Sequence, residues 1–208
     1  MTDELAVALG ELEEDRTVQL VQQRLARGDD PSTIMKSCQD GMTEVGKRFE
    51  SGEYFISDLM LSAEIFKKAT VPLSDLVKTG SVTKGRIVFG TVKGDIHNIG
   101  KDIVVGLLKA AGYEVTDLGI DVPASSFVEA VKATGASMVG LSGLLTIAFD
   151  SMKETIAALG AAGLKPKVMI GGGTISDAVQ KHTGADAWGN DAQSAVRIAN
   201  EWTSEVAK

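Results

Sequence analysis

Cysteine is almost absent from this chain of 208 residues: Cys38 stands alone, so no internal disulfide can form, and its helical core spacing reads as a small buried hydrophobe. That usage fits a reducing cytoplasm. Clusters of Lys and Arg are lacking too. With a formal net charge of −7 and a pI near 4.9, there is no Lys/Arg cluster for phosphate contacts, which argues against a nucleic-acid binder of that kind and suggests solubility or a protein partner. Long apolar runs are also missing. The most apolar stretch, 138–149, is too short to span a bilayer and is interrupted by Ser142, Gly143 and Thr146. Residues 1–15 are acidic, without the basic start and unbroken apolar core of an export signal. No membrane attachment is expected. Neither an internal repeat nor a low-complexity segment is found.

What is present falls into two patterns. Up to about residue 80 the periodicity is helical. A first segment carries Leu5, Leu9 and Leu12, and a second carries Val18, Val21 and Leu25 before Gly28. Pro31 suits the first turn of a third helix with Ile34, Cys38, Met42, Val45 and Phe49 on one side. The Ser51-Gly52-Glu53 stretch breaks it. A fourth helix is expected over 57–77, burying Leu59, Met60, Ala63, Phe66 and Leu73, with Pro72 as a potential kink or stop. Together these predict a small four-helix bundle.

Residues 78–85, rich in Ser, Thr, Gly and Lys, read as a linker, which places a domain boundary between 1–82 and 83–208. Beyond it, apolar runs at 86–92, 113–118, 137–141 and 167–170 alternate with helical segments at 99–111, 125–134, 149–162 and 175–182. A weaker fifth strand at 185–189 precedes a final amphipathic helix through Ala192, Val196, Ala199 and Trp202. That rhythm predicts an α/β, flavodoxin-like domain, a doubly wound five-stranded parallel sheet whose ligand sits outside the carboxyl ends of the strands.

Three of the expected strands end in unusual loops. The first is followed by Gly94, Asp95, Ile96, His97, Asn98, Ile99 and Gly100; the third by Ser142, Gly143, Leu144, Leu145 and Thr146; the fourth by Gly171, Gly172, Gly173 and Thr174. An Asp two residues before a His suits a carboxylate that orients an imidazole, either in a satisfied surface pair or behind a metal-bound ring. Serial glycines let a ligand approach the backbone, and Ser142 and Thr146 offer hydroxyl donors. Each loop also has a plain reading as a strand-to-helix turn with a capping hydroxyl. His182, near the end of an expected helix, suits the dipole there and reads as surface structure.

Taken in order, Asp95-x-His97-x-x-Gly100, Ser142-x-Leu144 and Gly171-Gly172 resemble the signature of the cobalamin-binding domain of methionine synthase, of corrinoid methyl-carrier proteins and of carbon-skeleton mutases. The spacing matches as well, with 41 residues between Gly100 and Ser142 and 26 between Leu144 and Gly171. Residues 45–56, VGKRFESGEYFI, resemble the helical cap that precedes this domain in the synthase and the methyl carriers, so the likeness covers nearly the whole chain.

The resemblance implies cobalamin held base-off and His-on, with His97 as the lower cobalt ligand, Asp95 accepting its other N–H and the nucleotide tail threaded into the sheet edge. It gives Gly100 and Gly171 to Gly173 the task of leaving room for the tail, Ser142 and Thr146 polar contacts, and Leu144 and Leu145 a wall; Gly94, Ile96, Asn98 and Ile99 complete the loop. Trp188 and Gly189 resemble a loop near the end of the tail. In the cap, Phe49 and Ile56, with Leu59 close by, fall where the family shields the upper face of the corrin, although the same residues also suit a bundle core. One position departs: Ala148 stands where the synthase has a Ser that extends the His and Asp pair into a relay, so a relay here must end at Asp95, at water or at another hydroxyl, and proton uptake on His97 dissociation should differ.

The expected function is that of a methyl carrier passing a methyl group on cobalt, as cob(I)alamin and methylcobalamin, from a donor-side methyltransferase to an acceptor-side one that methylates tetrahydrofolate or a thiol, with a reductive activase. Such a protein is not catalytic alone, and no second catalytic domain is found. Two alternatives remain open: the small subunit of an adenosylcobalamin-dependent mutase, against which the cap argues, and a cobalamin sensor acting through a protein partner, since no basic winged helix is present. The methyl donor is left open among methanol, a methylamine, a methoxylated aromatic and a betaine.

Overall fold

The structure is a computed structural model that describes residues 3–73, 76 and 83–206. The chain divides into two compact units, Met1–Thr83 with Ala110–Gly112, and Lys84–Lys109 with Tyr113–Lys208.

The first unit is helical: α1 Glu4–Gly10, α2 Glu14–Ala26, α3 Pro31–Glu50 and α4 Ile56–Thr70. Asp3 caps α1 by accepting the Leu5 N–H at 2.9 Å. The same carboxylate accepts from Ser37 Oγ at 2.6 Å and from Arg24 Nη1 at 3.0 Å, while Arg24 Nε reaches Asp29 at 3.0 Å, which ties the start of the unit to α2 and α3. Leu5, Leu9, Val21, Ile34, Cys38, Val45, Leu59 and Ile65 form the interior. Burial pushes the Cys38 thiol up to about 12, the behaviour of an inert buried hydrophobe.

Three expectations for this unit change. Leu12 lies beyond α1 with a left-handed φ of 61°, so it belongs to the turn and not to the helical stripe. The fourth helix ends at Thr70 and gives way to a 3₁₀ turn, Val71–Leu73: Pro72 has no N–H to continue the ladder. Residues 74, 75 and 77 of that expected helix, and 78–82 of the expected linker and boundary, lie outside the described residues. Met60 is exposed, because the buried stripe of α4 runs through Leu59, Ser62, Ile65, Phe66 and Ala69 and leaves Met60 off it.

The second unit alternates as expected: β1 Arg86–Thr91, α5 Ile99–Ala110, β2 Glu114–Asp117, α6 Ala124–Thr134, β3 Met138–Ser142, α7 Ile147–Ala161, β4 Lys167–Gly171, α8 Asp177–Thr183, β5 Ala187–Gly189 and α9 Ala192–Val206. All strands are parallel in the order β2-β1-β3-β4-β5. The order reverses at β1: the chain leaves it towards β2 on one side and returns to β3 on the other. Phe127 and Val131 of α6, Ala148, Met152 and Leu159 of α7 and Val179 of α8 pack on Val88, Val139, Leu141, Val168 and Ile170. Their burial on one face fixes the register, since a slip by one residue would turn every strand side chain over.

Phe127 is fully buried in this cluster. Phe127→Ala is expected to cost about 3–5 kcal/mol, read as a lower urea midpoint for the transition that reports the α/β unit; an unchanged midpoint would contradict this packing.

Candidate functional site

In a parallel sheet all the strand-to-helix loops leave one edge, and a ligand crevice opens where the order reverses, here between the carboxyl ends of β1 and β3. The loop after β1 begins with Val92, whose N–H donates to Ser142 O at 3.0 Å, so the two strands stay paired up to the crevice. Gly94 then turns with a φ of 84°, and Asp95 folds back with its N–H on Val92 O at 3.2 Å.

The Asp95 side chain is completely buried beside the crevice. Its Oδ2 accepts the backbone N–H of Leu144 at 2.7 Å and of Leu145 at 2.9 Å; its Oδ1 accepts the backbone N–H of His97 at 2.9 Å and lies 2.8 Å from His97 Nδ1. Burial alone would raise its pKa, but the backbone donors of Leu145, His97 and Leu144 and the imidazole outweigh it and bring the carboxyl down to about 2. Ionised, the carboxylate can only accept, so Nδ1 must carry the ring proton. In the neutral imidazole Nε2 then keeps its lone pair, and the half-exposed ring offers that atom with no hydrogen-bond partner among the described residues.

No hydroxyl among the described residues bonds Asp95; its protein partners are the three backbone N–H groups and the His97 ring. Ala148 is fully buried, and a Cβ built on Gly143 would come within 2.6 Å of its Cβ. That crowding leaves the β3–α7 turn to meet Asp95 through backbone N–H groups.

The other expected residues come to the same edge. Ser142, half-buried, ends β3 opposite Gly171 of β4, and Gly143 N–H donates to Gly171 O at 3.1 Å. Gly172 has a φ of 151°, and a Cβ there would run into the Gly143 carbonyl, so the close approach of the β3 and β4 loops requires glycine. Thr174 Oγ1 donates to Leu144 O at 2.7 Å, and Thr146 is exposed at the start of α7. Trp188 in β5 gives its indole N–H to Asp177 at 2.8 Å, with Gly189 next to it. Gly100 and Gly173 are exposed; a Cβ on Gly100 would meet nothing of the protein, so the fold does not itself demand glycine there. Asn98 gives its side-chain amide to Asp102 at 3.2 Å.

Sequence reasoning missed several contributors. Ile120 and Ile147 join Ile96, Ile99, Leu144 and Leu145 as exposed aliphatic side chains in the loops and helix starts after β1, β2 and β3, an apolar rim on the crevice. Thr91, fully buried, gives its hydroxyl to His97 O at 3.2 Å. Lys101, 3% exposed, pairs with Asp117 and with Asp102 at 2.6 Å; burial would lower its pKa, but those partners hold it above the ordinary value. Nothing in the sequence pattern pointed to that pairing.

In the helical unit Ile56 is exposed, Phe49 half-buried and Leu59 wholly inside the bundle, so Leu59 serves as core. Phe55, Met60 and Leu61 are exposed beside Ile56. His182, as expected, is a surface residue, with Nε2 3.0 Å from Asp150. No three His, Cys, Asp or Glu side chains gather as a metal site among the described residues, and no helix among them is long and apolar enough to cross a membrane.

Comparison with known proteins bears on this arrangement. Residues 85–197 match the family described as B12 binding domain, and residues 1–71 match a second family of the same description. Dimethylamine corrinoid protein 1 of Methanosarcina acetivorans is 40% identical over 97% of this chain and 96% of that one. The crystal structure of a cobalamin-binding protein from Desulfitobacterium hafniense is 42% identical over 95% of this chain and 96% of its own, with a TM-score of 0.79. In the methanol:cobalamin methyltransferase complex from Methanosarcina barkeri, a chain 31% identical matches with a TM-score of 0.86, over 96% of this chain and 78% of that one.

The Asp95 carboxyl sets a pH dependence. Its folded value, about 2, lies below the ordinary 3.8, so its contribution to stability is fully present above the ordinary value and is lost as pH falls through about 2. At 1.36 kcal/mol per unit this amounts to about 2 kcal/mol. The stability gap between wild type and Asp95→Asn should be constant above about pH 5 and narrow between about pH 4 and 2; a gap independent of pH would refute the assignment.

Proposed function

The chain belongs to the B12 binding domain family, its cofactor is a corrinoid of the cobalamin type, and on that premise we propose that it carries a methyl group between two methyltransferases. One observation carries the reading: a single imidazole, fixed through Nδ1 by a buried carboxylate, offers Nε2 at a glycine-lined crevice.

The residues present fit that cofactor. With no protein metal cluster among the described residues, one imidazole nitrogen suits a metal that brings its other ligands with it. The apolar rim suits a large ring, and the space beside Gly100 suits an elongated tail. Cobalamin, when bound, supplies a cobalt centre that accepts and releases methyl groups.

Family membership suggests the roles, and the geometry supports them. His97 Nε2 is the proposed lower ligand of cobalt, and Asp95 keeps the proton on Nδ1 and the ring in place. Gly94, Ile96, Asn98 and Ile99 shape the loop around it. Gly100, Gly171, Gly172 and Gly173 leave the tail its passage, with Ser142 and Thr146 as polar contacts, Leu144 and Leu145 as its wall, and Trp188 and Gly189 near its end. For the helical unit, here taken as 1–82 with the α/β domain as 83–208, the proposal is that exposed Ile56 and half-buried Phe49 shield the methyl-bearing face, with Leu59 behind them in the bundle core.

The names of the relatives favour a methylamine or methanol as donor; the acceptor-side enzyme would methylate tetrahydrofolate or a thiol, and an activase would restore the reduced cofactor. The chain is then a substrate for both partners and not a catalyst alone. The cytoplasm, where such partners work, is the proposed location.

The visible spectrum of the cobalamin-loaded protein tests this. His97→Ala should lose the His-ligated signature while retaining bound cobalamin; identical spectra would overturn the ligand assignment. A second substitution separates site from fold. Gly100→Leu should leave the apo protein as stable or slightly more so, since glycine inside a helix is unfavourable, yet weaken cobalamin binding by about tenfold or more, the equivalent of about 1.4 kcal/mol. Unchanged affinity would remove Gly100 from the tail passage.

A further inference from the structure

The loop between β2 and α6 holds a residue that neither the fold nor the reading of His97 explains. Asp121 has a left-handed φ of 52°, is exposed and has no ion pair among the described residues, so neither core packing nor charge accounts for its conformation. Aspartate is one of the few non-glycine residues that adopt this region, and it does so where its short side chain finds a local hydrogen bond.

Its hydrogen bonds supply the reason. The Asp121 N–H donates to the Asp95 carbonyl at 3.0 Å, and Asp121 Oδ1 accepts the Gly94 N–H at 2.7 Å. One residue thus grips the backbone on both sides of the Gly94–Asp95 peptide. The loop that carries Asp121 is itself pinned. Asp117 is held by buried Lys101 through Oδ2 and accepts the Gly119 N–H through Oδ1 at 2.9 Å; Gly119 O takes the Thr91 N–H at 2.9 Å, and the Val122 N–H goes to Thr91 O at 3.0 Å. Thr91 in turn bonds His97 O. Stiffness in the 117–122 loop is therefore delivered to the span that bears the buried carboxylate.

We propose that Asp121 is a positioning residue: it fixes the Gly94–Asp95 backbone so that the Asp95 carboxylate meets the Leu144, Leu145 and His97 N–H groups together, and thereby aims the His97 ring. This rests on the reading of His97 as the cobalt ligand, but half of its test does not.

Amide hydrogen exchange is compared for the full-length apo forms of wild type, Asp121→Ala and Asp121→Asn. Loss of one hydrogen bond should speed exchange at Leu144, Leu145 and His97 roughly fivefold in Asp121→Ala, with the amides of β4 unchanged, and Asp121→Asn, which keeps an acceptor oxygen for Gly94 N–H, should restore wild-type rates. Unchanged rates at the three amides, equal acceleration in β4, or failure of Asn to restore them overturns the brace. In the cobalamin-loaded forms Asp121→Ala should show a smaller His-ligated fraction than wild type, recovered in Asp121→Asn; a wild-type spectrum in Asp121→Ala overturns the link to the ring. If wild type and His97→Ala share one spectrum, the ligand reading fails, while the exchange rates still decide the brace.

Discussion

One buried carboxylate holds the candidate site together. Asp95 faces the point where the sheet changes direction, and its two oxygens gather three backbone N–H groups and one imidazole N–H from both sides of that point. Buried charge is costly unless it is fully hydrogen-bonded, and these donors satisfy it. No buried side-chain polar atom among the described residues lacks a partner, so the desolvation of Asp95 is offset within the loops themselves.

The consequence is that ligand geometry and loop folding are one event. The β3–α7 turn finds its conformation by directing the Leu144 and Leu145 N–H groups at Asp95, and the same acceptor fixes the tautomer of His97. The close approach of Gly172 to the Gly143 carbonyl then brings the β4 loop alongside. Three loops far apart in sequence are thus joined by hydrogen bonds and close contacts at one edge, which also carries His97 Nε2, the proposed ligand atom.

The fold was largely legible because its signals are local: period-2 runs, period-3.6 runs and the change from one regime to the other near residue 80. The pairing of Asp95 with His97 was legible for the same reason, being two residues long. The bonds from Asp95 to Leu144 and Leu145 span about fifty residues and go to backbone groups, which carry no side-chain signature. Asp121 and Lys101 were invisible for a related cause: each acts through a loop whose course only the sheet order determines. Met60 and Leu12 failed for the opposite reason, since composition marks a residue as apolar while the phase of a stripe and the end of a helix decide whether it is covered. The family signature reached the glycines and Ser142 by spacing, without the physics that fixes Gly172.

The aliphatic rim has a colloidal side. Ile96, Ile99, Ile120, Leu144, Leu145 and Ile147 form an exposed aliphatic edge on a protein whose net charge of −7 is modest for its size. Such a surface is adhesive towards its own kind and towards chaperones until something covers it. A ligand that covers this edge and binds the folded chain alone raises the folded population by mass action, so a corrinoid seated there would stabilise the chain as well as equip it.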